Sequence, residues 1–386
     1  KYSLFESNFA ESSSILFLEI SKPNVLNLLD IPRATGNPTY PKPITQILII
    51  IKLILFLNKI DIYFDMKILI TGGAGFIGYN FCKYLLLKTN HKIYSIDSVN
   101  DYYSQKLKRA RLKDLKMHKN FKFYKFDLCD KKKLEKVFNN NFNIVYHFAA
   151  QAGVRYSLIN PRSYINSNIL AFFNLIELVK KNKINRFFYA SSSSVYGESK
   201  NFPLKENQLI LPKNIYGLTK KNNEETVELF LKGSRTKCVG LRFFTVYGEW
   251  GRPDMLIYKY LKAIFFKKTK FYLNNYGNHT RDFTYIDDVT EILYKLLNVK
   301  ILVSNSVVNI CSNNPIRITR ILEFINKYFK KKPKIYKRSF QKADVKKTHG
   351  SNLMIKKIIK KNKFTDLKIS LIKTVKWYEK NWKLFS

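Results

Sequence analysis

The sequence predicts an α/β protein built on a doubly wound parallel sheet. Three observations lead to this prediction: short apolar runs of strand length recur, helical apolar patterns lie between them, and a glycine-rich turn follows the first run. Strands that alternate with helices form parallel sheets, whose ligands bind at the carboxyl ends of the strands. The predicted strands are Lys67–Thr71, 92–96, 122–126, 144–148 and 186–190.

The first predicted strand runs into the glycine-rich turn 72–78 (GGAGFIG), and 79–88 has the apolar spacing of a helix. This order is typical of dinucleotide sites, because glycines let the backbone approach a pyrophosphate at the helix N-terminus. Asp97 ends the second strand, 19 residues after Gly78. A carboxylate there accepts hydrogen bonds from the adenosine ribose and repels a 2′-phosphate. We therefore predict NAD rather than NADP as the cofactor.

Three more residues fall at the carboxyl ends of predicted strands. Asp127 follows strand 122–126, and Ala149 and Ala150 follow strand 144–148. Because ligands of a doubly wound sheet bind at this edge, we expect these residues to line the cofactor site. Taken singly, each could instead be an ordinary strand terminus.

Tyr216 and Lys220 begin a predicted helix, 216–231, and lie four residues apart on one face of it. A tyrosine acts as a base at neutral pH only if its pKa falls from about 10 toward 7. A lysine cation and an oxidised nicotinamide both favour the phenolate. The pair occurs by chance in many helices, but behind a dinucleotide turn and the serines at 191–194 it indicates a catalytic site.

From Met66 onward the sequence resembles the extended short-chain dehydrogenase/reductase family of nucleotide-sugar epimerases and dehydratases, whose nucleotide domain has the Rossmann fold. The stretches that carry this resemblance are 98–103 (SVNDYY), 149–157 (AAQAGVRYS), 190–197 (ASSSSVYG), 241–255 (LRFFTVYGEWGRPDM) and 281–288 (RDFTYIDD). The resemblance implies an enzyme that interconverts UDP-glucuronate and UDP-galacturonate through a transient 4-keto sugar, for surface polysaccharide. Its NAD is expected to be tightly bound and recycled.

The resemblance also implies roles for individual residues. Ser192, Tyr216 and Lys220 match the family's catalytic triad, in which the tyrosine is the base and the lysine lowers its pKa and binds the nicotinamide ribose. The residues that match its cofactor site are Gly72, Gly75, Phe76, Ile77, Gly78, Asp97, Asp127, Leu128, Ala149, Ala150, Asn168, Tyr216 and Lys220.

The expected substrate-binding residues are Ser193, Ser194, Thr245, Arg252, Arg281 and Asp344. By the resemblance, Arg281 contacts the diphosphate and Asp344 belongs to a segment that binds the uracil ribose. Ser193 and Ser194 stand where dehydratases or decarboxylases of the family carry acids. Hydroxyls cannot serve as carboxylate bases, but they can hydrogen-bond a substrate carboxylate, which favours epimerisation of a uronic acid. The alternative is that both serines only satisfy the strand end. A guanidinium such as that of Arg252 suits a carboxylate or a phosphate.

Three positions add open questions. Ala343 replaces a family glycine, which costs about 1 kcal/mol if the backbone needs a positive φ there. Glu249 stands where the family usually has proline. Arg155, in the stretch 149–157, lies either beside the active site or in a structural ion pair.

The composition excludes several classes of protein. The chain has 386 residues, of which 46% are hydrophobic and 25% charged, so neither disorder nor a collagen-like repeat is expected. Its net charge of +41 suggests a nucleic-acid partner. Most of the basic residues are lysines, however, and a genome rich in A/T codons would produce the same excess. We expect no nucleic-acid partner. The four cysteines lack metal-ligand spacing, which predicts no metal site and a reduced, cytoplasmic compartment.

Residues 1–65 differ from the rest of the chain. They contain a proline-rich segment and an apolar run, 47–57, that Lys52 interrupts and that is shorter than the ~20 residues a membrane span needs. We predict a non-native or weakly membrane-associated extension, with the functional protein starting at Met66.

The sequence thus predicts an NAD-binding Rossmann domain at 66–240 and a smaller C-terminal α/β domain at 241–386 that mainly binds the UDP-sugar, with segments partly interleaved. By the family resemblance, a homodimer is expected through helices 166–180 and 216–231. The alternatives are a 4-epimerase for another UDP-sugar, a UDP-glucuronate decarboxylase and, more remotely, a non-catalytic scaffold that binds a nucleotide or nucleic acid.

Overall fold

The computed structural model describes residues 65–299, 306–361 and 363–384. The predicted N-terminal extension lies outside these residues, apart from Asp65. Within the described residues, no helix is long and apolar enough to span a membrane.

The largest sheet has seven strands, and all neighbouring strands run parallel. Their order in space is β3-β2-β1-β4-β5-β6-β10. The order reverses between β1 and β4, so the carboxyl ends of these two strands border a ligand-binding crevice. This confirms the predicted fold class. The strands are β1 (Lys67–Thr71), β2 (Lys92–Asp97), β3 (Phe121–Lys125), β4 (Ile144–His147), β5 (Arg186–Ser192), β6 (Lys237–Phe243) and β10 (Ser306–Ile310).

Helices connect the strands and cover the sheet. The α-helices are α1 (Phe76–Lys88), α2 (Gln105–Leu115), α3 (Lys131–Phe138), α4 (Tyr156–Ile159), α5 (Pro161–Tyr164), α6 (Ala171–Lys181), α7 (Ile215–Phe230), α8 (Leu256–Phe265), α9 (Ile286–Leu297), α10 (Ile318–Phe329), α11 (Leu353–Ile359) and α12 (Leu367–Lys380). A π-helix, Ile165–Leu170, precedes α6, and a 3₁₀ turn, Ser193–Tyr196, follows β5.

Two apolar layers enclose the sheet, because successive strand residues point to opposite faces. In β1, Ile68 and Ile70 pack with Phe81 of α1 and with α9 on one face. Leu69 packs with α3 and with Phe172 of α6 on the other. Because β1 is buried on both faces, its successive residues are apolar, which explains the continuous apolar run in the sequence.

The observed boundaries differ from the predicted ones in three places that affect the site. The first helix begins at Phe76, three residues earlier than predicted, so the last three residues of the glycine-rich stretch 72–78 are helical. The helix predicted at 166–180 starts as the π-helix Ile165–Leu170 before it continues as α6. The strand predicted at 186–190 extends to Ser192, so a serine ends this strand at the crevice.

Two smaller sheets lie in the C-terminal part of the chain. One contains β7 (Thr245–Tyr247), β9 (Thr280–Tyr285) and β11 (Pro315–Arg317), and the other pairs β8 (Phe271–Asn274) with β12 (Ile335–Arg338). Two observations concern the predicted boundary at residue 240. Strand β6 runs across it, and β10 returns from the C-terminal part to pair with β6. The domain boundary itself stays a prediction.

Candidate active site

The glycine turn between β1 and α1 forms the floor of a cavity at the carboxyl edge of the large sheet. Gly72 has a φ of +78°, and a Cβ at this position would lie 2.6 Å from the backbone nitrogen of Ala149. At Gly78 a Cβ would overlap the carbonyl oxygen of Gly72. The first residues of α1, Phe76 and Ile77, also line the cavity, and the first N–H groups of a helix lack intrahelical partners. The turn therefore offers an anion a close approach to the backbone and a positive helix end.

Asp97 lies at the end of β2 beside this turn. Its Oδ2 accepts a hydrogen bond from the backbone N–H of Ala74 at 3.1 Å, and its Oδ1 accepts one from Val99 at 2.8 Å. Burial raises the pKa of Asp97, while these N–H groups and the nearby cations Lys108 and Arg111 partly offset the rise. The carboxylate thus fixes the glycine turn as well as lining the cavity.

Every residue predicted at the cofactor site lines this cavity except Asn168. The Oδ1 of Asn168 accepts a hydrogen bond from the N–H of Gln151 at 2.8 Å. Its Nδ2 donates to the oxygen of Gln151 and to Oγ1 of Thr219, both at 3.0 Å. Asn168 therefore joins the π-helix to α7 and to the segment after β4, behind the cavity wall. The residues on the wall are Gly72, Gly75, Phe76, Ile77, Gly78, Asp97, Asp127, Leu128, Ala149, Ala150, Tyr216 and Lys220.

The three predicted catalytic residues meet on one wall of the cavity. Ser192 ends β5, and its Oγ accepts a hydrogen bond from the N–H of Ser194 at 3.1 Å. Tyr216 and Lys220 lie in the first turns of α7, where Asn214 caps the helix by accepting from the N–H of Gly217 at 2.8 Å. The cap fixes the start of α7 and hence the direction in which both side chains point.

Burial has the largest effect on the pKa values of Tyr216 and Lys220. Burial raises the pKa of Tyr216, and a hydrogen bond with Ser192 and the charge of Arg252 offset this only in part. Burial also lowers the pKa of Lys220 to about 8. The prediction that Lys220 lowers the pKa of Tyr216 stays a prediction, and Ser192 and Arg252 also act in that direction. The positive charge of an oxidised nicotinamide, also part of the prediction, comes with the cofactor.

The residues of this cavity fit a dinucleotide. The glycine turn leaves space that side chains would fill. Lys220 is only 1% exposed, and its Nζ has no hydrogen-bond partner in the described part of the chain. An unpaired buried ammonium is costly unless a ligand oxygen accepts its hydrogen bonds. A ribose with two hydroxyl groups supplies such oxygens.

A second cavity of about 770 Å³ opens beside the first and shares Ser192, Tyr216 and Arg252 with it. All the predicted substrate-binding residues line it: Ser193, Ser194, Thr245, Arg252, Arg281 and Asp344. Its volume lies within the range of about 300 to 1,000 Å³ that is typical of ligand pockets. A ligand in this cavity therefore reaches Ser192 and Tyr216.

The charged residues of the second cavity are held by the protein itself. Arg252 donates to both carboxylate oxygens of Asp254, from Nε at 2.9 Å and from Nη2 at 2.6 Å. Asp344 accepts from Nη2 of Arg155 at 2.7 Å, so Arg155 lines the cavity and also forms an ion pair. Arg281 donates to three backbone carbonyls, including that of Val345 at 2.7 Å. These contacts hold the cations in fixed directions.

The two departures from the family pattern are accommodated locally. The φ of Ala343 lies outside the left-handed region, so the predicted strain does not arise. Glu249 accepts a hydrogen bond from the hydroxyl of Tyr285, whose oxygen lies 2.9 and 2.8 Å from its two carboxylate oxygens.

Comparison with known proteins gives the family. Residues 68–311 match the model of the NAD dependent epimerase/dehydratase family. The chain belongs to this family. A UDP-glucuronate 4-epimerase from Thermodesulfobacterium geofontis (strain OPF15) is 36% identical over 82% of this chain and 97% of its own length.

Solved structures agree. UDP-glucuronic acid 4-epimerase from Bacillus cereus, in complex with UDP-glucuronic acid and NAD, superposes with a TM-score of 0.78 at 29% identity, over 82% of this chain and 100% of that one. UDP-N-acetylglucosamine 4-epimerase from Methanobrevibacter ruminantium M1, in complex with UDP-N-acetylmuramic acid, has a TM-score of 0.73 at 27% identity, over 82% and 99%. The chain is thus an NAD-dependent epimerase, which confirms the predicted class of enzyme and cofactor.

Sequence reasoning missed two residues of this epimerase's site. The hydroxyl of Tyr102 lies in both cavities and donates to Oδ2 of Asp254 at 3.3 Å. The family stretch 98–103 contains Tyr102, but only the fold brings it against a residue 152 positions away. Asp254 itself follows Arg252 in the family stretch 241–255, and its pairing with that arginine could have been expected from their spacing.

Proposed function

We propose that this enzyme interconverts UDP-glucuronate and UDP-galacturonate. The observation that carries the proposal is the chemistry of the second cavity. The only carboxylates among its described lining residues are Asp254 and Asp344, and each is engaged in an ion pair. Dehydration or acid-assisted decarboxylation needs an available acid beside the triad, whereas hydroxyl groups stand there at Ser193 and Ser194.

The residues of the triad take the roles that general acid–base chemistry requires. Tyr216 accepts the proton of the sugar 4-hydroxyl, and Ser192, hydrogen-bonded to it, orients that hydroxyl. Lys220 holds the nicotinamide ribose and supplies positive charge when protonated. When bound, NAD would supply the redox chemistry, which is removal of a hydride from C4 and its later return. The 4-keto sugar turns within the second cavity between these two events, and Tyr216 then gives the proton back, so no net oxidation occurs.

The acidic substrate matches the charges around the site. A UDP-uronate carries a diphosphate and a carboxylate, and Arg252 and Arg281 line the cavity that would hold it. The Ser193 and Ser194 hydroxyls are donors for the carboxylate. The product would be an acidic sugar donor, and we propose surface polysaccharide as its destination.

The test is incubation of the purified protein with UDP-glucuronate, with and without added NAD, followed by separation of the nucleotide sugars. We expect UDP-galacturonate and no UDP-xylose or CO₂, and we expect no conversion by Tyr216→Phe. Formation of UDP-xylose would instead identify a decarboxylase. Conversion of UDP-glucose or UDP-N-acetylglucosamine but not UDP-glucuronate would identify an epimerase of another UDP-sugar, as in the Methanobrevibacter ruminantium relative.

We also propose a homodimer formed through α6 and α7. Leu218 and Leu229 lie on one stripe of α7 and are 57% and 76% exposed. Phe173 of α6 is 40% exposed, and its ring lies 5.4 Å from that of Phe230 at the end of α7. Pairing of two copies would cover this apolar face. Light scattering should give twice the chain mass, and the Leu218→Glu variant should give the mass of a single chain.

A further inference from the structure

Arg111 is a buried arginine outside both cavities. It lies in α2, is 0% exposed, and lines neither the cofactor cavity nor the second cavity. The acceptors of its hydrogen bonds in the described chain are four neutral oxygens. Its guanidinium is therefore hydrogen-bonded to neutral oxygens, while the Asp97 carboxylate interacts with it through charge only.

The four acceptors belong to segments from both sides of the site. Nη1 donates to the carbonyl of Ala74, in the glycine turn, at 2.8 Å. Nη2 donates to the carbonyls of Trp250 and Gly251, the latter at 3.3 Å. Gly251 directly precedes Arg252, so the side chain of Arg111 connects the cofactor turn to the loop that carries one of the cations of the second cavity. The hydroxyl of Tyr103 completes the set at 2.8 Å.

This arrangement suits positioning better than stabilisation. Burial of a charge without a hydrogen-bonded counter-ion costs free energy, and an apolar side chain of similar volume is often as stable. A guanidinium, however, presents its donors in fixed directions within one plane, so it can hold two segments at a set separation. A lysine, with one nitrogen, cannot reproduce that geometry.

We propose that Arg111 is a positioning residue that locks the Arg252 loop onto the glycine turn. Through this contact it sets the distance between the cofactor and the cation that faces the UDP-sugar. The packing of Trp250 supports the assignment, because its ring lies 4.9 Å from both Tyr79 and Trp377, which leaves the loop backbone facing Arg111. The inference rests on the proposed UDP-sugar substrate.

The experiment measures the dissociation constant of UDP by calorimetry, on holoenzyme with excess NAD. For Arg111→Met we expect UDP to bind about tenfold more weakly, because charged hydrogen bonds that hold the loop are lost. Arg111→Lys should fall between the wild type and this variant. The matched control is Arg109→Met, which removes the same charge from the same helix at a side chain that donates to Gln105 on the surface. Its affinity should equal that of the wild type.

A double-mutant cycle separates positioning from general destabilisation. Arg252→Ala should itself weaken UDP binding, and adding Arg111→Met should then have less than a twofold further effect, since both act through one group. The inference would be overturned if Arg111→Met weakened UDP binding equally in the wild type and in Arg252→Ala. It would also be overturned if Arg111→Met alone bound UDP as tightly as the wild type does. If Arg111→Met fails to fold, wild-type affinity of Arg111→Lys overturns it instead. Failure of the wild type to bind UDP would refute the proposed substrate rather than the role of Arg111.

Discussion

Arg242 of β6 and Glu224 of α7 form a buried two-point ion pair directly beneath the triad. Nε of Arg242 lies 2.9 Å from Oε1 of Glu224, Nη2 lies 2.7 Å from Oε2, and the two side chains are only 4% and 7% exposed. Ser191, next to Ser192 in β5, donates to the same carboxylate. The pair therefore joins β5, β6 and the helix that carries Tyr216.

Loss of this pair should destabilise the protein strongly. Arg242→Met leaves the Glu224 carboxylate buried without its cation, which we expect to lower the free energy of unfolding by about 3 to 5 kcal/mol. Urea unfolding measures this change. Lys131→Met is the control, because it breaks an exposed ion pair with Glu177 and should cost less than about 1 kcal/mol. Equal costs in the two variants would contradict the assignment.

Substitution of the triad should remove activity without removing the cofactor. In Tyr216→Phe the general base is gone, and we expect kcat to fall by about 10² to 10⁴-fold. Ser192→Ala should give a smaller loss, since it removes the hydroxyl that orients the substrate and hydrogen-bonds Tyr216. Tyr276→Phe, which alters an exposed tyrosine, is the control. NAD content, measured after heat release, should be unchanged in all three, and an active Tyr216→Phe enzyme would disprove the role of the base.

Lys220 gives a prediction with a definite pH dependence. Burial lowers its pKa from 10.5 to about 8, so the folded protein binds this proton less tightly than the unfolded chain. The cost of burying the ammonium is therefore greatest below pH 8 and disappears as pH rises from 8 to 10.5. Lys220→Met should be more stable than the wild type by up to about 3 kcal/mol at pH 7, with less advantage at pH 10.

Denaturant unfolding of ligand-free protein between pH 6 and 10 measures this difference. The exposed Lys136→Met variant is the control, because its charge carries no burial penalty and should show no such trend. A stability difference for Lys220→Met that does not change with pH would rule out a buried ammonium.

The glycine turn predicts a specific loss of cofactor. In Gly78→Ala the new Cβ would overlap the carbonyl oxygen of Gly72, so the backbone of the glycine turn must move from its present conformation. We expect the purified variant to carry several-fold less NAD. Gly233→Ala is the control: its φ of +72° makes alanine cost about 1 kcal/mol, but nothing lies within 4 Å of the added atom. Normal NAD content in Gly78→Ala would show that the turn does not hold the pyrophosphate.

Local patterns predicted much of the fold correctly. The strand Lys67–Thr71, the glycine turn after it and the start of α7 near Tyr216 lie where periodicity and spacing indicated. These features depend on residues close together in the chain, whose propensities and apolar spacing act locally. The π-helix Ile165–Leu170 is an exception, because its sequence has ordinary helical spacing and its form depends on packing.

The sequence by itself determined the class of fold, the family and the glycine turn, because each depends on local apolar spacing or on short motifs. Only the tertiary structure decided the pKa values and the hydrogen-bond partners of the side chains at the site. Burial sets the pKa of Lys220 and Tyr216, and Asn168 bonds to Thr219 behind the cavity. Arg111 meets carbonyls 37 and 139 positions away. Desolvation and such contacts depend on which distant segments of the chain the fold brings together. A local sequence pattern does not show which segments these are.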